Sequence, residues 1–160
     1  MSIKIKLTNF VLFFIIIVTT SCGFKVVDKS NLNNYNIKNI VTSGDIRINY
    51  KIRNNLLINS KKENVNELNI NLNTNKTKKI KEKNIKNEIV KYQVKIISKL
   101  KINLLKTGKT VNIKETVEGE YSVDKTYSTT LTNEKKLIES LTEDLSDKIQ
   151  NSLNNLINDI

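Results

Sequence analysis

The sequence predicts an α+β domain built as a two-layer sandwich: a four-stranded sheet with two helices packed on one face. Three observations carry this expectation. Apolar and polar residues alternate at period two along several stretches, apolar residues recur at helical spacing along two others, and the stretches follow the order strand, helix, three strands, helix.

The first strand is expected at residues 35–42, where Tyr35, Ile37, Ile40 and Val41 gather. Ser43-Gly44-Asp45 then makes a turn, and the Ser or Asp oxygen is suited to cap a following helix. Ile48, Ile52, Leu56 and Leu57 place that helix on residues up to about 58. Leu68, Ile70 and Leu72, separated by Asn69 and Asn71, read as a strand with one wet face. The clearest alternation is Val90, Tyr92, Val94, Ile96, Leu100, Ile102 and Leu104, with Lys91, Gln93, Lys95, Lys99 and Lys101 on the other side. At roughly 3.3 Å per residue this strand approaches 50 Å, so it must bend or protrude from a small domain. Lys106-Thr107-Gly108-Lys109 supplies a hairpin turn, and Val111, Ile113, Val117, Tyr121 and Val123 form the return strand. Asn133 and Glu134 open the last helix, whose stripe runs through Leu137, Ile138, Leu141, Leu145, Ile149, Leu153, Leu156 and Ile157.

Ahead of this domain stands a different kind of segment. Lys4 and Lys6 precede an unbroken apolar run at 10–18, and Thr19-Thr20-Ser21-Cys22 closes it. A basic start, a short apolar centre and a small polar exit is the layout of a secretory signal. Crossing a bilayer takes roughly 20 apolar residues, and this run is shorter, which argues against an uncleaved anchor. The only cysteine of the chain stands where the run ends. It resembles a bacterial lipobox, with Thr19 where Leu is usual, and makes Cys22 the expected lipidation site. Each buried acyl methylene contributes about 0.8 kcal/mol, so two or three chains anchor stably. Gly23 rather than Asp after the cysteine implies sorting to the outer membrane. The expected organisation is a leader at 1–21, a lipidated tether at 22–34 and one domain at 35–160.

Composition excludes most chemistry. The chain has no His, Pro, Trp or Ala, one Cys and four Gly. His-based triads, Cys/His zinc sites, internal disulfides, P-loops and dinucleotide fingerprints are therefore ruled out, and no cofactor is implied. Glu139, Glu143, Asp144 and Asp147 fall between the leucines of the last helix, the ordinary place for solvated acids, so no enzymatic activity is expected.

Several short motifs together resemble the LPS-assembly lipoprotein family, LptE. Cys22-Gly23-Phe24 matches the family's mature start, Lys91-Tyr92-Gln93-Val94 its long-strand segment, and Glu120-Tyr121-Ser122, Thr126-Tyr127 and Asn133-Glu134 the lead-in to its final helix. Where many members place Pro and Tyr soon after that start, this chain has Lys25-Val26-Val27. The resemblance implies a non-enzymatic accessory subunit that plugs the β-barrel translocon LptD and helps lipopolysaccharide reach the outer leaflet. It also implies basic contacts to the glycolipid near the junction of the second and third strands, a loop that here holds Lys76, Lys78, Lys79, Lys81, Lys83 and Lys86.

The charge is suited to such a ligand but has a second explanation. Formal net charge is +11, and residues 76–106 alone carry a net +9, whereas residues 133–160 carry a net −3. Lys, Asn and Ile make up 73 of the 160 residues, and Lys outnumbers Arg 25 to 2, which fits an AT-rich coding bias. A basic face attracts phosphates over about 8–10 Å, yet like-charge runs are often merely solvated. Nucleic acid, the other common target of basic patches, is disfavoured by export and by the scarcity of aromatics among the lysines. Another outer-membrane-anchored binding or structural lipoprotein remains the alternative reading.

Overall fold

The computed structural model describes residues 35–159. The leader, Cys22 and the tether at 22–34 lie outside the described residues. The elements are β1 (Asn36–Gly44), α1 (Ile46–Ile58), β2 (Glu67–Lys83), β3 (Ile89–Leu104), β4 (Thr110–Ser122) and α2 (Tyr127–Asn158). They form one four-stranded sheet in the order β1-β2-β3-β4, covered on one face by both helices. This is the expected α+β sandwich.

The connections dictate the strand directions. Helix α1 carries the chain back across the sheet, so β1 pairs with β2 in parallel. The turns after β2 and β3 are short, so those two pairings are antiparallel. Along β3 the side chains of Val94, Ile96, Leu100 and Ile102 point toward the helices and are almost wholly buried. They meet Leu68, Ile70 and Leu72 of β2, Val117 and Tyr121 of β4, Ile48, Ile52 and Leu56 of α1, and Leu145, Ile149 and Leu153 of α2. The opposite face of the sheet carries no layer among the described residues.

Polar groups inside this core find partners, with one exception among the described residues, the buried Asn49 Oδ1. Thr74 and Ser98, both fully buried and opposite one another in the register, share a hydroxyl–hydroxyl bond of 3.1 Å. The Asn55 amide donates to Ser146 Oγ at 2.6 Å and ties the two helices together. Tyr35 donates its hydroxyl to Gln150 at 3.0 Å, and burial pushes the phenol up to about 12.

Two expectations needed correction. Strand β2 does not give way to a lysine-rich loop after Leu72; it continues to Lys83 because β3 pairs with it along that whole length. The polar, lysine-rich sequence hid a strand that is held by backbone bonds rather than by an apolar face. Helix α2 begins at Tyr127, not at Asn133. Thr126 caps it, accepting from the Thr129 amide at 3.2 Å. The first turns are too poor in apolar residues to show a stripe. The length of β3 is accommodated by its flanks, since β2 covers it from Ile89 to Leu104 and β4 from Lys91 to Asn103.

Candidate functional site

The six lysines expected to gather in a loop are spread over two faces and a turn. Lys76 and Lys78 sit opposite Ile96 and Val94 in the register and so point to the helix side. Lys76 pairs with Asp45 at 3.2 Å. Asp45 also caps α1, accepting from the Arg47 and Ile48 amides at 3.1 Å each. Partial burial pushes its carboxyl up, but the Ile48 amide and Lys76 outweigh that and hold it below the usual range. On the other side, Lys81 pairs with Glu120 at 3.1 Å. Lys83 donates to Asn87 Oδ1 at 3.0 Å within the turn that joins β2 to β3. Lys79 is exposed, and Lys86 lies in that same turn.

Lys78 belongs to a compact polar cluster instead. Its ammonium lies 2.7 Å from Glu134 of α2, 4.3 Å from the centre of the Tyr92 ring and 5.2 Å from that of Tyr121. The two rings stack at 5.6 Å, and the Tyr121 hydroxyl donates to the same Glu134 oxygen at 2.8 Å. Desolvation alone would push the Lys78 ammonium down, but the Glu134 bond outweighs it and raises it. The Glu134 carboxyl, raised by burial but lowered more by Lys78 and Tyr121, is held below the ordinary range. Lys78 is thereby committed to fastening α2 on the sheet.

A group of lysines without ion pairs lies on the open face of the sheet. In the register, Asn73, Lys99 and Lys114 form one row across β2, β3 and β4, and Asn71, Lys101 and Asn112 form the next. All six are exposed, and together they line a shallow groove of about 530 Å³. Among the described residues, none of the three lysines has an ion pair. Lys99 stands directly opposite Lys114, an arrangement of like charges that weakens a sheet unless something answers it. Further along the same face the lysines are answered: Lys95 by Glu118 at 3.7 Å and Lys91 by Glu82 at 3.1 Å. Three ammonium groups beside three amides can bind a phosphate or carboxylate and hydrogen-bond neighbouring hydroxyls. The alternation of β3 already put Lys99 and Lys101 on the wet side. What it lacked was the hairpin register that adds Lys114.

No protein-family profile matches the chain, and no curated protein matches it in sequence. Solved structures do. The chain is similar to rare lipoprotein B from Shewanella oneidensis at a TM-score of 0.61 and 15% identity, over 76% of this chain and 97% of that one. It is also similar to uncharacterized lipoprotein B from Nitrosomonas europaea, at a TM-score of 0.57 and 12% identity, over 86% of this chain and 94% of that one. What is shared is the fold. At these identities the basic rows on the open face belong to this chain's own sequence and have to be argued from it.

Proposed function

We propose that this protein is a lipid-anchored, non-enzymatic accessory subunit of an LptD-type β-barrel translocon, held in the outer membrane by Cys22 and contacting lipopolysaccharide during its export. The observation that carries the reading is a conjunction: a short apolar leader ending at the chain's only cysteine, followed by a fold shared with two bacterial lipoproteins. The unanswered Lys99, Lys101 and Lys114 support the glycolipid part, because phosphates and acidic sugars supply the countercharge that the sheet lacks. The first-named lysines Lys76, Lys78 and Lys81 are already neutralised within the fold and are replaced as leading contacts by this trio.

Two measurements test the reading. Cys22→Ser should release the full-length protein into the periplasm and remove the acyl mass; unchanged membrane retention would defeat the anchor. Affinity purification of the wild-type protein from outer membranes in mild detergent should recover a large β-barrel protein. An anchored protein that comes alone would favour the other reading, a binding lipoprotein with no barrel partner.

A further inference from the structure

The chain holds 25 lysines and two arginines, and both arginines, Arg47 and Arg53, lie on α1. In a sequence so biased toward lysine, arginine is the cation that calls for a reason. Its planar, weakly hydrated guanidinium suits interfaces and bidentate carboxylate contacts in a way that an ammonium does not. Neither guanidinium has an acidic partner among the described residues, and α1 itself contains no Asp or Glu. Asp45, its cap, is occupied by Lys76 and two backbone amides, and Glu139 of α2 pairs with Lys51 at 3.5 Å.

Apolar residues of α1 also run down a second face. Ile48, Ile52 and Leu56 fill the core. Ile46, Tyr50, Arg53 and Leu57, spaced four, three and four apart, fall on one narrow strip turned away from it. Ile46 is 83% exposed, Tyr50 63% and Leu57 39%. A helix with apolar residues on two sides is ordinarily covered on both. The strip combines aliphatic, Tyr and Arg side chains, the composition enriched at the centres of protein interfaces. A second copy of the chain fits poorly, since the strip would oppose its own Arg47, Lys51 and Arg53. The geometry points to α1's outer strip as the face that docks on the large protein partner, which presents an apolar patch rimmed by carboxylates. The identity of that partner as the β-barrel rests on the function proposed above.

The test uses the full-length acylated protein in outer membranes, with a photoreactive phenylalanine at Tyr50 or, for comparison, at Asn112 on the open sheet face. The expected result is a covalent adduct between position 50 and the β-barrel protein. In parallel, Arg47→Glu with Arg53→Glu should lower barrel recovery at least tenfold, and the Arg→Lys pair should lose less. Neither pair should shift Tm by more than about 2 °C, since these side chains hold no partner in the fold. If the barrel co-purifies but position 50 gives no adduct while position 112 does, the docking face is wrong and the proposed function survives. Internal adducts from position 50 to residues 23–34 would show that the tether covers the strip, which also overturns the assignment. Failure to recover any barrel with the wild-type protein removes the partner, and with it both conclusions.

Discussion

Gly44 shows how one residue ties the edge of the sheet to the first helix. Its φ of +91° is a conformation that other residues rarely adopt, and a Cβ there would collide with the Thr74 carbonyl oxygen. That carbonyl accepts from the Asp45 amide at 2.8 Å, so the collision would also disturb the cap of α1. Gly44→Ala is expected to destabilise by more than about 2 kcal/mol in denaturant titration. At Gly119, by contrast, an added Cβ would meet side chains rather than backbone, the end of Leu137 at 2.7 Å and of Leu141 at 3.4 Å, and Gly119→Ala should lose clearly less. Glu134 is the second telling residue. Because its carboxyl is depressed in the folded state, its contribution is present above the ordinary carboxylate range and fades as pH falls through the lowered value. Lys78, raised in turn, keeps its share until pH climbs past the ordinary lysine range. Glu134→Gln should therefore flatten the acid limb of a Tm-against-pH profile, and Tyr121→Phe should remove about 1 kcal/mol across the neutral range.

Among the elements, α2 depends most on the core and least on its own start. Leu145, Ile149 and Leu153 are fully buried against the sheet, and Leu145→Ala should destabilise by about 2–5 kcal/mol in equilibrium unfolding. Those positions were legible in the sequence because a run of apolar residues three and four apart has no other economical explanation. The opening turns were not, since Ser128, Thr129, Thr130 and Thr132 say nothing about periodicity and only the Thr126 cap fixes the boundary. The second half of β2 was hidden for a related reason. Lysines on an exposed strand resemble lysines in a loop, and only the partner strand distinguishes them. Lysine is also what protects such a strand from pairing with the wrong edge, so Lys79, Lys81 and Lys83 have a structural use independent of any ligand.

Across the whole molecule, charge is divided by what answers it. Lys76, Lys78, Lys81 and Lys83 meet acids or an amide, whereas Lys99, Lys101 and Lys114 have no ion pair among the described residues. The run of lysines at 76–106 was visible in the sequence; which of them are free was not, because that depends on pairing across three strands. Replacing Lys99, Lys101 and Lys114 together with Gln should weaken binding of purified lipopolysaccharide roughly tenfold at low salt, with the difference shrinking toward 0.5 M salt. The triple Lys76, Lys78 and Lys81 variant should instead lower Tm and leave the glycolipid affinity less affected. A reversal of those two outcomes would return the contact to the β2 lysines.

Strand β1 pairs with β2 only as far as Gly44 opposite Thr74, whereas β2 continues nine residues beyond it. The same strand is thus an interior member of the sheet at its beginning and a border at its end. In deuterated water its amides should divide accordingly, with those near Ile70 and Leu72 surviving longest and every second one past Thr74 labelled early. A border of that kind can be zipped shut by a visiting backbone, and slowed labelling there on assembly would show where a companion chain lies alongside.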